Sequence, residues 1–158
     1  MIAVIIMGSP SDEPTGRAIV NALDRFGIRS EIRIASAHKT PEYLLDLLNG
    51  YEADPRVKVY ITVAGRSNAL SGMVDAQVTA PVIACPPYSD KFAGSDIYSS
   101  LRAPSGVAPA VVLEPENAAL LAAKMLSLAD RGLCQKLQQA QTDQRQRLIA
   151  ADEAQQQE

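Results

Sequence analysis

The amino-acid sequence predicts an α/β fold in which helices cover both faces of a mainly parallel, five-stranded sheet. Three observations support this prediction: short runs rich in valine and isoleucine recur, segments of helical periodicity lie between them, and the two kinds of segment alternate. Strands that alternate with helices form parallel sheets because each right-handed crossover returns the chain to the edge where the previous strand began. The expected architecture is a three-layer α/β/α sandwich of the flavodoxin-like type.

The predicted strands have the composition of buried strands and span residues 2–7, 29–35, 57–64, 81–85 and 108–114. The first two predicted helices each have one apolar stripe at helical spacing. These stripes consist of Ile19, Leu23 and Phe26 in the first helix and Leu44, Leu47, Leu48 and Tyr51 in the second. Shorter helices are expected after Ser67 and after Gly94.

The last part of the chain, residues 131–158, is interpreted as a helical extension of the α/β domain at 1–130, the whole forming one domain. It has a helix-forming composition and a thin apolar stripe of Leu133, Leu137, Ala140, Leu148 and Ile149. A helix with so little apolar surface is not stable alone in water. We therefore expect it to pack on a neighbouring subunit, with a disordered glutamine-rich tail as the alternative, above all for the last few residues.

Composition narrows the class of protein further. The chain has 158 residues, 47% of them apolar, and can bury one core. A net charge of −3 and a pI near 5.2 argue against nucleic-acid or anionic-membrane partners. No apolar run reaches the roughly 18 residues of a membrane span and no signal peptide is recognisable, so we expect a cytoplasmic protein. Two cysteines without metal-type spacing predict neither a disulfide framework nor a structural zinc site.

In doubly wound sheets, ligands bind beyond the carboxyl ends of the strands. The loop GSPSD at 8–12 has two serine hydroxyls, backbone N–H groups and a following helix start, which together can hold a phosphate. Asp12 is suited to cap that helix or to accept a hydrogen bond from a sugar hydroxyl. The loop lacks the lysine of a P-loop and the glycines of a dinucleotide fingerprint, so ATP and NAD have no support. A turn with a helix N-cap is the alternative interpretation.

His38 is the only histidine in the chain and follows a predicted strand, with Ser36 before it and Lys39 after it. An imidazole gives and takes a proton near neutral pH, and a neighbouring cation can fix an anionic substrate. We interpret His38 as a catalytic acid–base, with a structural or surface histidine as the alternative.

The loop AGRSNALSG at 64–72 contains an arginine and small hydrogen-bonding residues, which suit a carboxylate or carbon dioxide. The alternative is a salt bridge from Arg66 and a helix N-cap at Ser67 or Asn68.

Cys85, at the end of a predicted strand, is interpreted as a buried thiol rather than a nucleophile, because the sole histidine would have to act as its general base.

Several stretches stand in a characteristic order: MGSPSD, FGI, SAHKTP, VAGRSNALSGM, CPPYSD, SDIYSSLRAPSG and NAALLAAKML. Together they resemble the phosphoribosylaminoimidazole carboxylase family of purine biosynthesis, over about residues 2–130. The resemblance implies a carboxy-lyase that reversibly joins carbon dioxide to C4 of 5-aminoimidazole ribonucleotide, without cofactor or metal. It also implies a homo-octamer in which C-terminal helices reach neighbouring subunits.

Two loops resemble the branch of this family that uses carbon dioxide directly. The mutase branch, which moves a carboxyl group from nitrogen to carbon within carboxyaminoimidazole ribonucleotide, typically reads SAHRTP and AGAGGAAHLPGM. This chain instead has Lys39 and the loop AGRSNALSGM. The mutase remains one alternative, and a non-catalytic flavin- or nucleotide-binding module is the alternative of another class.

The same resemblance assigns a role to each loop. The ribose phosphate is held by Gly8, Ser9, Ser11 and Asp12. The second loop closes on the ligand through Ser36, Ala37 and Lys39. Carbon dioxide and the nascent carboxylate are received by Gly65, Arg66, Ser67 and Asn68. His38 removes the C4 proton of the carboxylated intermediate.

Overall fold

The computed structural model describes residues 1–56, 58–90 and 92–156. Within these ranges five strands form one sheet: β1 (Ile2–Met7), β2 (Ser30–Ile34), β3 (Lys58–Val63), β4 (Val82–Ala84) and β5 (Ala110–Val111). The helices of the same ranges are α1 (Glu13–Asp24), α2 (Pro41–Glu52), α3 (Ala69–Asp75), α4 (Tyr98–Leu101), α5 (Pro115–Ser127) and α6 (Arg131–Gln155). Short 3₁₀ turns at Pro10–Asp12 and Ser95–Ile97 precede α1 and α4.

The sheet has the strand order β2-β1-β3-β4-β5, and every neighbouring pair is parallel. In the centre of the sheet, Ile5 of β1 pairs with Ile32 of β2 on one side and with Ile61 of β3 on the other. The predicted fold class, a parallel five-stranded α/β sandwich, is therefore confirmed over the described residues.

The strand β1 separates two apolar cores because its side chains point alternately to opposite faces of the sheet. Ala3, Ile5 and Met7 pack in the core beneath α1, α5 and α6. Ile2, Val4 and Ile6 pack in the second core, with side chains of α2 and α3. All six residues of β1 are buried, which explains why this strand reads as an uninterrupted apolar run.

The structure divides the apolar stripe of α6 into two parts. Leu133 and Leu137 are buried in the same core as α1 and α5, and Asp130 caps the helix by accepting a hydrogen bond from the N–H of Leu133 at 2.9 Å. Leu148 and Ile149 are 67% and 58% exposed. The first turns of α6 thus pack on their own domain, and the exposed part of the predicted stripe lies further along the helix.

Some elements differ in extent from the sequence prediction. Helix α5 lies between the fifth strand and residue 131, where periodicity predicted no helix. Strand β5 is shorter than its predicted run because its partner β4 is only three residues long. Residue 57, at the start of the third predicted strand, and residues 157–158 of the tail lie outside the described residues. None of the described helices has the length and apolar character needed to cross a membrane.

The amino edge of the sheet is held by tyrosine–glutamate hydrogen bonds. The hydroxyl of the buried Tyr60 donates to Glu52 at 3.0 Å, and that of Tyr51 donates to Glu31 at 2.7 Å. The two rings pack edge to face with their centroids 6.3 Å apart. The backbone N–H and hydroxyl of Thr79 also donate to Glu52. The polar side chains named here at the amino edge therefore have hydrogen-bond partners within the protein.

The packing of α6 predicts that Leu137→Ala lowers the free energy of unfolding by about 2–5 kcal/mol, the usual cost of truncating a buried leucine. The measurement is urea denaturation followed by circular dichroism. Gln138→Ala, at the next position on the exposed side of the same helix, is the control and should change the value by less than about 0.5 kcal/mol. Equal effects of the two substitutions would contradict the packing described here.

Candidate active site

A cavity of about 520 Å³ opens at the carboxyl edge of the sheet. Its lining residues come from the segments that follow β1, β2, β3 and β4, including the start of α3: Gly8, Ser9, Ser11, Asp12, Ser36, Ala37, His38, Lys39, Ala64, Gly65, Arg66, Ser67, Leu70, Pro87, Tyr88 and Ser89. The volume falls in the range of small-molecule sites, about 300–1,000 Å³. Of the site residues predicted from the sequence, the structure brings all but Asn68 to this one cavity.

The loop after β1 arranges two hydroxyls at the start of α1. The backbone N–H of Gly8 donates to the carbonyl of Val63 at 2.9 Å, which extends the pairing with β3 one residue into the loop. The hydroxyl oxygens of Ser9 and Ser11 lie 2.9 Å apart, and the N–H of Ser11 donates to Ser9 Oγ at 3.3 Å. Both hydroxyls line the cavity just before a helix N-terminus, an arrangement that favours an anion.

Asp12 completes this loop with a half-buried carboxyl group. Burial raises its pKa above the ordinary value of 3.8, and a backbone hydrogen bond from Ser9 opposes that rise in part. Partial burial of a charged carboxylate lowers the stability of the fold, because the group loses contact with water. Such groups at the wall of a cavity are typical of functional sites. A role for Asp12 as an acceptor from ligand hydroxyl groups fits this placement.

The loop after β2 is a closed turn with His38 at its exposed tip. The N–H of Thr40 donates to the carbonyl of Ser36 at 2.9 Å, and the N–H of Ser36 donates to Thr40 Oγ1, also at 2.9 Å. The N–H of Lys39 donates to Ser36 Oγ at 3.3 Å. Because Ser36 and Thr40 fix the base of the turn, Ala37, His38 and Lys39 are presented together to the cavity.

The loop after β3 has a left-handed backbone at Arg66, with φ of 58°. The N–H of Arg66 donates to Asp96 Oδ2 at 3.1 Å, and the Ser99 hydroxyl donates to its carbonyl at 3.0 Å. None of the ion pairs found in the described parts of the chain involves the Arg66 guanidinium. The salt bridge considered as an alternative role for Arg66 is thus not seen there, and the exposed side chain lines the cavity.

Asn68 differs from the other predicted site residues because it is buried and its amide group is used within the protein. Its Oδ1 accepts from the N–H of Ser71 at 3.1 Å and caps α3, while its Nδ2 donates to Ser100 Oγ at 2.9 Å. The predicted ligand contact at Asn68 is therefore replaced by the N-cap that was its alternative interpretation.

Sequence reasoning missed the cavity residues that follow β4, namely Pro87, Tyr88 and Ser89. Their signal was their position just after a predicted strand, but no charged or catalytic residue marked them individually.

Cys85 matches its predicted role as a buried thiol. Burial raises its pKa to about 12, and Sγ lies 3.6 Å from the carbonyl oxygen of Leu113, so it is not available as a thiolate nucleophile.

The fold and the cavity together define an α/β domain whose cavity suits a small anionic molecule beside the one imidazole of the chain. The anion is expected at the serine loop near the N-terminus of α1. A second negative group fits the guanidinium of Arg66 in the loop after β3, which also lines the cavity. Among the described residues, no group of three or more His, Cys, Asp or Glu side chains is placed to hold a metal ion.

Comparison with known proteins gives the family. The family model described as AIR carboxylase matches residues 2–147, and the chain belongs to that family. A protein of Archaeoglobus fulgidus named phosphoribosylaminoimidazole carboxylase is 56% identical over 97% of this chain and 84% of its own length. A protein of the same name from Treponema denticola is 53% identical over 96% of this chain and 95% of its own length. The crystal structure of Treponema denticola PurE superimposes with a TM-score of 0.95 at 52% identity, covering 97% of both chains.

The raised pKa of Asp12 predicts that Asp12→Asn increases thermal stability at pH 7. The folded state disfavours the charged carboxylate relative to the unfolded state, so removing the charge removes a cost that is present above the raised pKa. The gain in Tm should shrink as the pH falls through that pKa to below the ordinary value of 3.8. Tm is measured across this pH range by scanning calorimetry.

Asp46→Asn, which removes one exposed carboxylate from α2, is the control for a general change in net charge. An Asp12→Asn protein that is less stable than the parent at pH 7 would contradict the unfavourable placement of this carboxylate.

Proposed function

We propose that this protein is a phosphoribosylaminoimidazole carboxylase, which joins carbon dioxide to C4 of 5-aminoimidazole ribonucleotide and in reverse acts as a carboxy-lyase. The observation that carries the proposal is that the single imidazole of the chain, His38, lines the same cavity as the serine loop and Arg66. Membership of the AIR carboxylase family and the names of the two relatives give it further support.

The substrate brings most of the reactivity needed for this reaction. Its aminoimidazole ring is electron-rich and resembles an enamine, so C4 attacks the carbon of carbon dioxide directly. A C–C bond forms, the electrons of one C=O bond move to oxygen, and C4 becomes tetrahedral while it keeps its hydrogen. The protein therefore has to bind two negatively charged groups and move one proton, which the residues of the cavity suit.

The ribose phosphate is assigned to the loop of Gly8, Ser9 and Ser11, where hydroxyls and backbone N–H groups meet the start of α1. Asp12 accepts hydrogen bonds from ribose hydroxyls. Lys39, in the loop after β2, closes on the ligand and adds positive charge.

His38 is assigned the proton transfer. After carboxylation its neutral imidazole removes the proton from C4, the C–H electrons return to the ring, and aromaticity is restored. The imidazolium gives the proton back in the reverse reaction. The turn closed by Ser36 and Thr40 supports this assignment because it fixes the backbone on both sides of the imidazole.

Arg66 and Ser67, with the backbone of Gly65, are assigned to carbon dioxide and the new carboxylate. Negative charge grows on the two oxygens as the C–C bond forms, and oriented donors stabilise it more strongly in the transition state than in the substrate complex. The same two loops favour the direct carboxylase over the mutase, since Lys39 and AGRSNALSGM replace the sequences typical of the mutase branch.

The reaction is tested by giving the purified protein 5-aminoimidazole ribonucleotide and bicarbonate, without ATP or added metal, and following the carboxylated product by absorbance and mass. Product formation is the expected result. Conversion of N5-carboxyaminoimidazole ribonucleotide alone, with no reaction of the uncarboxylated ribonucleotide and carbon dioxide, would identify the mutase instead. A bound flavin, seen as a visible absorption band, would favour a flavin-binding module.

The role of His38 predicts that His38→Asn lowers kcat by about 10²–10⁴-fold, the usual contribution of a positioned acid–base. The Kd of the uncarboxylated ribonucleotide, measured by calorimetry, should change by no more than about threefold, because the phosphate contacts lie on other loops. An unchanged kcat would exclude His38 as the proton carrier.

We further propose that the protein assembles as a homo-octamer and that the outer part of α6 contacts a neighbouring subunit. Leu148 and Ile149 support this, since both are exposed on a helix whose first turns are fixed to their own domain. An apolar pair at the far end of such a helix is stabilised when a second copy covers it.

This assembly predicts that the double variant Leu148→Glu/Ile149→Glu lowers the particle mass measured by light scattering, because two charges would be buried in the contact. The far-ultraviolet circular dichroism should stay close to that of the parent. The double variant Ala150→Glu/Ala154→Glu adds the same charges to the opposite side of α6 and should leave the mass unchanged. An intact octamer in the first variant, or equal dissociation of both, would refute the proposed contact.

A further inference from the structure

The left-handed backbone of Arg66 needs support from elsewhere in the chain. Residues with a Cβ rarely adopt a positive φ, and in the described ranges only Arg66 and Ala93 do so among residues other than glycine. Conformations of this kind persist where the surrounding structure holds them in place. This backbone conformation sets the direction of the Arg66 side chain, which lines the cavity from the loop after β3.

The support comes from a segment about thirty positions later in the chain. Asp96 Oδ2 accepts the N–H of Arg66 at 3.1 Å. Ser99 Oγ lies 3.0 Å from the carbonyl oxygen of Arg66 and 2.7 Å from that of Asp96, so its one hydrogen serves either acceptor. Asp96, in the 3₁₀ turn at Ser95–Ile97, thus binds the N–H of Arg66, and the carbonyl oxygen of Arg66 shares the Ser99 hydroxyl of α4 with that of Asp96.

The same segment also holds the end of the loop. The N–H of Asn68 donates to Ser99 Oγ at 2.9 Å, and its side-chain amide donates to Ser100 Oγ at 2.9 Å. The segment from Arg66 to Asn68 is therefore held at both of its ends, and Ser67 between them lines the cavity. Asp96 is the one ionised acceptor in these contacts, and hydrogen bonds to a charged acceptor are stronger than neutral ones.

We propose that Asp96 is a positioning residue: its carboxylate holds the left-handed backbone of Arg66 and thereby aims the guanidinium at the carboxylate formed in the reaction. This inference rests on the proposed function. Asp96 does not line the cavity and acts through Arg66. Its loss should therefore weaken the same step as loss of the guanidinium and leave binding of the uncarboxylated ribonucleotide intact.

A second aspartate provides a matched control. Asp75 Oδ2 accepts the backbone N–H of Ala108 at 2.7 Å, again across about thirty positions, and joins α3 to the chain beyond α4. Asp75 does not line the cavity and makes no contact with Arg66 among the hydrogen bonds of the described residues. Asp75→Ala therefore removes the same type of bond without touching the backbone of the third loop.

The experiment measures kcat for carboxylation, the Kd of 5-aminoimidazole ribonucleotide and Tm for the parent and the variants. Asp96→Ala should lower kcat on the order of tenfold with less than about a twofold change in Kd. Asp96→Asn, which keeps an oxygen acceptor, should recover most of the loss. Asp75→Ala should lower Tm comparably and leave kcat within about twofold of the parent.

The double variant Asp96→Ala/Arg66→Ala separates positioning from general stability. Once the guanidinium is absent, loss of Asp96 should lower kcat by less than about twofold beyond Arg66→Ala alone, because the two residues act in one unit. A full additional loss in the double variant would overturn the proposal, as would equal losses of kcat and affinity in both Asp96→Ala and Asp75→Ala. If the parent protein forms no carboxylated product, the proposed function itself fails, and this inference fails with it.

Discussion

The described strands all run in one direction, and each parallel pair requires a crossover between its members. Every loop that follows a strand therefore opens at the same edge, which brings the segments at 8–12, 36–39, 65–67 and 87–89 to one cavity. The pairing continues beyond the strands, since the N–H of Gly8 bonds to Val63 and that of Ala35 bonds to Met7. The first two loops are consequently anchored to neighbouring strands at their start, and residues from distant parts of the chain line one cavity.

How far the sequence predicted this arrangement depended on how local each signal was. The buried runs of β1 and β3 and the stripes of α1 and α2 depend on signals within a few residues and were predicted, except that Phe26 lies beyond the end of α1. The alanine-rich α5 has little contrast between its faces and was not named. Asn68 and its neighbours in the third loop look alike as polar residues, and only the contact with Ser100 separates the cap from the cavity wall. Asp96 contacts the backbone of Arg66 from about thirty positions away, a tertiary contact that no local sequence pattern records.

The two edges of the sheet illustrate different uses of polar groups. At the amino edge, the Tyr60 hydroxyl donates a hydrogen bond to Glu52, and such a pair contributes to the stability and uniqueness of the fold. At the carboxyl edge, Asp12 has a pKa raised by burial and Arg66 has an unfavourable φ. Both features cost stability and are maintained by specific neighbours, the pattern expected where a protein gives up some stability for a binding or catalytic arrangement.

The long helix α6 packs on its domain near its start, and most of its later residues are exposed. It has 25 residues, and among the described residues its buried side chains are Leu133 and Leu137, near its start, where Lys136 also donates to the carbonyl of Phe26. The remaining turns extend about 27 Å beyond that anchor at 1.5 Å per residue. A rotation of about 10° at the anchor would move the far end by about 5 Å, a distance comparable to one helical turn. The packing of two leucines in the core therefore sets the position of Leu148 and Ile149, so a substitution deep inside the domain can shift this exposed apolar pair without changing any residue on the surface.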